Sequence, residues 1–287
     1  MTGTILVLGA TGRFGRNIAD AFARAGWRVR CFDRSRDDLD RVAKGADVIA
    51  MGWNPRYHRW AAEMPGLHAA VRRAALRHDC TVLLPGNVYV FGQNSGPVWD
   101  QDTPHRATNP LGRLRIEMEA AYRTEGVRTI VLRAGDFLDT EASGNWFDAL
   151  MAKRIGRGIL RYPGARDVPH AWAFLPDLAR AFVALAETRA QLPQFADIPF
   201  PGYTLTGYEM ADALARVTGQ PVQVRPVRWG LLRMARPVMP FIGGLLEMRY
   251  LWSLPHRLDG ARFAEVLPGF QATPLDEALT RTIAPLR

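Results

Sequence analysis

The chain has 287 residues, 48% hydrophobic and 23% charged, with two cysteines: an ordinary globular balance in a length that buries a core without disulfides. No run reaches the ~18 apolar residues of a membrane span; the longest candidate, residues 238–246, stops at Glu247. The net charge of +9 comes from 35 arginines and two lysines, scattered without a run of five or an Arg–aromatic ladder, which argues against a nucleic-acid partner.

Met1 is followed almost at once by the apolar strand Thr4–Leu8, so no targeting segment is expected and a cytoplasmic setting is. Residues 13–25 predict a helix, with Phe14, Ile18, Ala21, Phe22 and Ala25 on one face and Gly26 as its cap. Strands follow at 27–33 and 47–51, with a short helix at 37–44 between them. Pro65 is expected to open a helix reaching His78. A buried strand at 80–85, the helix Pro110–Thr124 and a strand at 127–133 complete the first half. Cys31 and Cys80 fall inside these apolar strands and are expected to be buried thiols.

The later chain predicts a helix at 175–188, a last strand of the sheet at 195–200 and the helix Gly207–Thr218. Thr206 and Glu209 stand in the capping-box arrangement at its start. Residues 222–227 read as a strand. Residues 229–252 are apolar but broken by Pro237, Pro240, Gly243 and Gly244, and Thr273-Pro274 opens a final helix. Strands alternating with helices predict an α/β fold: a Rossmann-type doubly wound parallel sheet with a small interleaved C-terminal α/β cap. The expected division is a core over 1–135, with 165–200 returning to it, and a cap over 136–164 and 201–287.

Residues 9–15 read Gly-Ala-Thr-Gly-Arg-Phe-Gly, directly after a strand and opening an amphipathic helix. In that context Gly9 serves the tight turn, Gly12 lets the backbone approach a pyrophosphate, and Gly15 lets helix and strand pack closely. The helix amino end then faces the phosphates. Asp33 ends the second strand, 18 residues past Gly15, where a carboxylate accepts from the adenosine ribose. Arg34 beside it, with Arg13 and Arg36, suits the extra phosphate of NADP. The cofactor expected is NAD or NADP, with a slight lean to NAD.

With this loop, the chain resembles the short-chain dehydrogenase/reductase superfamily, in its atypical and extended, NAD-dependent epimerase/dehydratase-like branches. The resemblance covers most of the chain and includes the segments at 46–50, 82–92, 132–136 and 170–180. It implies Thr11, Arg13 and Phe14 as further cofactor-loop residues, and Gly86 and Asn87 at the position of the family's serine. Two departures stand out. Only 13 residues separate Asp33 from Asp47, which leaves no room for one edge strand. The Tyr-x-x-x-Lys pair is absent: Leu111 and Arg115 stand in its place, and Arg115 is left a cofactor-holding role.

Substitute proton donors are sought in loops that this fold brings to the nicotinamide, where Tyr89, Tyr57 and His58 are the candidates. Asp136 and residues 145–147 lie in a third such loop. No Cys-x-x-Cys or His-x-x-x-His spacing suggests a metal. Trp146, Phe147, Trp172, Phe174, Trp229, Phe241, Tyr250 and Trp252 either line an apolar substrate pocket or pack the cap.

The leading expectation is an NAD(P)-dependent oxidoreductase or epimerase-like enzyme on a small, apolar, carbonyl-type substrate. The alternative is a non-catalytic dinucleotide-sensing regulator or assembly factor. The expected partner is a small-molecule substrate. A homodimer stays open, and a peripheral membrane contact through 229–252 is disfavoured because the segment cannot form one long amphipathic helix.

Overall fold

The computed structural model of the chain describes residues 3–286. The first half runs β1 (Thr4–Leu8), α1 (Arg13–Arg24), β2 (Arg28–Cys31), α2 (Leu39–Ala43), β3 (Val48–Met51), α3 (Trp60–His78), β4 (Thr81–Asn87), β5 (Val98–Trp99), α4 (Pro110–Thr124) and β6 (Thr129–Ala134). The second half continues with β7 (Asp136–Leu138), β8 (Ile159–Tyr162), β9 (His170–Phe174), α5 (Leu175–Glu187), β10 (Phe195–Pro199), β11 (Tyr203–Leu205) and α6 (Gly207–Thr218). It closes with β12 (Gln223–Pro226), α7 (Trp229–Ala235), α8 (Ile242–Glu247), β13 (Arg257–Leu258), α9 (Ala261–Val266) and α10 (Leu275–Ile283).

Six strands form the central sheet in the order β10-β6-β4-β3-β1-β2, every neighbouring pair parallel. The short Asp33–Asp47 connection holds only α2 before the chain crosses to the far side of β1, so the sheet ends at β2. Chain direction across the sheet therefore reverses at β1, and the carboxyl ends of β1 and β3 form the switch point at which folds of this kind place a ligand crevice. One face of the sheet is covered by α1, α5 and α9. Phe14, Ile18 and Phe22 recur at helical spacing there and are all buried, each contributing roughly 1.5–3 kcal/mol. The other face carries α3 and α4, through Met64, Val71, Met118 and Tyr122.

A second assembly, outside the six-stranded sheet, holds the β7-β9-β11 sheet, the β8–β12 ladder and the α6–α10 pair; β9, from the segment expected to return to the core, pairs here with β7 and β11. Its core contains Phe147, Trp172, Phe174 and Trp252, all buried, so packing accounts for these rings. The C-terminal stretch also returns to the central sheet, where Phe263 and Leu267 pack.

Two local expectations are corrected. Helix α3 starts at Trp60 and carries Pro65 inside it. Burial of Trp60, whose indole donates to the Pro55 carbonyl (2.8 Å), extends the helix upstream. The carbonyl that Pro65 leaves without a donor belongs to Ala61, which is exposed, so the loss is not buried. Cys31 is exposed, because β2 is the sheet edge and has no neighbour to cover it. Cys80 is buried, as expected, and burial pushes its thiol up to about 11.

His68 and His256 are buried, and desolvation holds both well below the usual histidine range. The unfolded chain binds protons at these positions that the fold refuses. Stability is thus full above about pH 6.5 and declines below it, by up to ~1.4 kcal/mol per pH unit for each histidine. A melting series across that range checks this, and His68→Gln should remove its share of the slope.

Candidate active site

The candidate polar groups come from the carboxyl ends of β1 to β4 and from the β6–β7 junction. Gly9 has a φ of +70°, which only glycine adopts at little cost, and its carbonyl accepts from the Gly12 amide (2.9 Å). A Cβ on Gly9 would lie 2.8 Å from the Gly52 carbonyl, and one on Gly15 would overlap the Gly9 carbonyl oxygen. Loop, helix and β3 therefore meet backbone to backbone.

Gly12 differs. It is exposed at the cap of α1, and a Cβ there would meet only the Gly9 oxygen, at 3.3 Å. No side chain caps α1 and its first turn holds no acidic residue, so its leading amides and dipole face outward. This bare amino end fits a diphosphate. Thr11 is exposed beside it. Phe14 turns inward against Phe182, so only its amide faces the loop side. Arg13 donates to the Ser143 carbonyl (2.8 Å), Arg16 pairs with Asp139 and Glu141 (2.9 Å each), and Asn17 donates to Asp139 (3.1 Å). Loop 139–144 is thereby fastened to the opening turns of α1.

At the end of β2, Asp33 accepts from the Ser35 amide (2.9 Å) and hydroxyl (2.6 Å) and pairs with Arg36 (2.9 Å). The Ser35 hydrogen bonds, aided by Arg36, hold its carboxyl below the usual range. The Arg34 guanidinium lies 5.4 Å above the Trp53 ring.

Tyr57 and Tyr89 come from separate short turns, after β3 and β4. The Asn87 side chain accepts from the Tyr89 amide (3.1 Å) and sets the second turn. The two phenolic oxygens lie 2.6 Å apart, Trp60 packs on both rings, and Gly244 of α8 closes directly over Tyr57. Burial pushes Tyr57 up to about 12 and Tyr89 well above 10, and the nearby Asp136 carboxylate adds to both shifts. Both phenols hold their protons at neutral pH. His58 is exposed on the Tyr57 turn and lines an outer cleft of about 540 Å³ with Leu111, Arg236 and Glu247.

Behind the tyrosines, Asp136 accepts from His170 Nε2 (2.7 Å). His170 lies flat on Trp252, with ring centroids 4.0 Å apart, and its Nδ1 has no hydrogen-bond partner among the described residues. His170 carried no recognisable signal in the sequence, because 34 residues separate it from Asp136. Parallel pairing of β7 with β9 sets Asp136 opposite Trp172, two residues along from His170. Gly52 and Glu247 were missed as well. The Glu247 carboxylate accepts from the Leu111 amide and the Asn109 side chain (2.7 Å each), tying α8 to the start of α4.

Arg115 does not reach the crevice. The i, i+4 spacing that aligns it with buried Leu111 and Glu119 turns it inward, where it donates to the Pro85 carbonyl (2.8 Å) and Glu119 (3.1 Å). Arg133 joins Glu119 (2.7 Å), Asp197 (2.5 Å) and the Asn87 carbonyl (2.7 Å). His105, Glu119 and Asp197 cluster like metal ligands, but Arg133 is the cation that both carboxylates bind. Gly86 is a packing glycine of β4, where a Cβ would sit 2.7 Å from Val131.

No protein-family model matches the chain, and a search of curated proteins finds no match. Solved structures do match over the whole length. A putative epimerase from Burkholderia cenocepacia is 17% identical, with a TM-score of 0.75, covering 99% of this chain and 98% of that one. A GalE-like L-threonine dehydrogenase from Cupriavidus necator is 17% identical, with a TM-score of 0.75 and full coverage of both chains. UDP-glucose 4-epimerase from Brucella ovis, in complex with NAD, is 20% identical, with a TM-score of 0.70, covering 99% and 98%. The chain thus shares the Rossmann-type fold of these epimerases and this dehydrogenase, in line with the resemblance seen in its sequence.

Proposed function

We propose that the chain is an NAD(P)-binding oxidoreductase or epimerase-like enzyme of the atypical short-chain dehydrogenase/reductase kind, acting on a small, apolar, carbonyl-type substrate. In this reading the Tyr57–Tyr89 pair takes the place of Tyr-x-x-x-Lys. The observation that carries it is the 2.6 Å phenol–phenol contact at the carboxyl ends of the sheet strands, the same side that bears the uncapped end of α1. The NAD in the Brucella epimerase supports NAD as cofactor. So does the ionised Asp33 carboxylate, which would repel the extra phosphate of NADP.

Gly9, Thr11, Gly12, Arg13 and the amides of Phe14 and Gly15 would hold the diphosphate, and Asp33 the ribose hydroxyls. The dinucleotide, when bound, supplies hydride chemistry. The chain's own residues manage the proton. One phenol donates to the other, and the pair keeps one O–H free for a substrate oxygen. A phenol at about 12 is a weak base's conjugate compared with an alcohol, so its proton passes downhill to an alkoxide. The same high value makes the pair a poor proton acceptor at neutral pH, which favours carbonyl reduction. The Asp136 carboxylate, hydrogen-bonded to His170, lies close enough to both phenols to raise them electrostatically and so keep the pair protonated.

The fastening of loop 139–144 to α1 favours a second reading, a dinucleotide-sensing regulator or assembly factor. A ligand at the first turn would press on that loop.

Calorimetry with oxidised and reduced NAD and NADP tests both readings. The unmodified chain is expected to bind, with NAD preferred. Gly12→Ala should still fold, since its Cβ asks the loop carbonyl of Gly9 to give only a few tenths of an ångström, yet lose roughly tenfold or more in affinity by filling the phosphate cradle; an unchanged melting temperature separates the two effects. No heat with any dinucleotide would defeat both readings. Binding without turnover on a broad carbonyl panel would select the sensor.

A further inference from the structure

We propose that residues 225–240 form a docking surface for an anionic lipid bilayer. No Asp or Glu occurs between Asp212 and Glu247, while Arg216, Arg225, Arg228, Arg233 and Arg236 do. Arg216 is paired with Asp276 (2.7 Å). The other four are exposed, and among the described residues none of them is in an ion pair with a carboxylate. Interleaved with them, Leu231, Met234, Val238 and Met239 are 58%, 79%, 81% and 41% exposed. The other exposed large apolar side chains, Leu76, Val98 and Tyr208, lie in other parts of the chain.

Helix α7 explains this concentration, because it buries none of its residues. It is anchored at one end, where the Trp229 indole donates to the Pro163 carbonyl (2.7 Å) and Arg249 lies over the ring (4.9 Å). Pro237 and Pro240 then break the helix before α8. The result is a short projection with apolar tips among unneutralised guanidinium groups, and no core contact to account for the apolar residues.

That pairing of chemistries suits a bilayer of anionic lipid: methyl and thioether tips enter the acyl boundary while arginines meet headgroup phosphates. A nucleic acid would satisfy the arginines and leave Met234 and Val238 in water. No helix among the described residues is long and apolar enough to cross a membrane, so the contact is peripheral. The outer cleft shares Arg236 and Pro240 with this face.

Co-sedimentation of the full chain with vesicles of phosphatidylcholine mixed with phosphatidylglycerol, against phosphatidylcholine alone, tests the proposal. Binding is expected to the anionic vesicles. Each arginine adds about fivefold, so Arg233→Gln with Arg236→Gln should weaken it roughly 25-fold. Met234→Ser with Val238→Ser should abolish the part that survives high salt. All four side chains are exposed, so unchanged melting temperatures will separate lost binding from lost folding. Three results would overturn the proposal: no binding to anionic vesicles, binding that neither double variant alters, or a concentration-dependent dimer that Met234→Ser with Val238→Ser dissociates. Duplex DNA binding lost only on arginine replacement would overturn it too.

Discussion

Glu119→Gln is expected to destabilise the fold by about 3–5 kcal/mol, without changing the crevice. Glu119 is buried and bonds both Arg115 (3.1 Å) and Arg133 (2.7 Å), while Asp197 bonds only the latter. An amide keeps the shape but leaves Arg115 with no carboxylate and Arg133 with Asp197 alone, in a dry setting. The large cost comes from that uncompensated charge, since a buried ion pair contributes little over apolar residues of like volume. Burial works against ionisation of Glu119, but Arg133 and Arg115 outweigh it and hold the carboxyl below its usual range. Its contribution is therefore present above the unfolded value and lost as pH falls through the folded one. The urea midpoint of Glu119→Gln should drop with an unchanged slope. A midpoint within error of the parent would show that the network is not what joins α4 to β6 and β10.

The second large effect concerns turnover. Tyr89→Phe is expected to lower the rate of carbonyl reduction by about 10²–10⁴-fold, with dinucleotide affinity intact. Tyr57→Phe should act in the same direction, because each phenol orients the other across 2.6 Å. The pair also carries a spectroscopic signature independent of activity. Burial pushes Tyr57 up to about 12, and the Asp136 carboxylate raises it further than burial alone would. Asp136→Asn removes that charge, so tyrosinate absorbance should appear at lower pH than in the parent. The alkaline limb of any turnover profile should move the same way. Full activity in both phenylalanine variants would remove the pair from the chemistry. An unshifted titration in Asp136→Asn would detach the carboxylate from the phenols.

Much of this molecule is legible without coordinates. The loop from Gly9 to Gly15, the bounds of α4 and α6, the capping box at Thr206 and the missing edge strand all follow from spacing along the chain. Periodic burial and turn chemistry are local, and a linear sequence records them directly. Side-chain partnerships between distant segments depend on strand order and register, which no local pattern specifies. Tyr57 meets Tyr89 because β3 and β4 are neighbours, and Asp136 meets His170 because β7 pairs with β9. Arg115 turned inward, and not toward the crevice, because the buried face of α4 includes it together with Leu111 and Glu119. Cys31 is exposed because its strand closes the sheet, a property of the assembled layer and not of the four residues that form it.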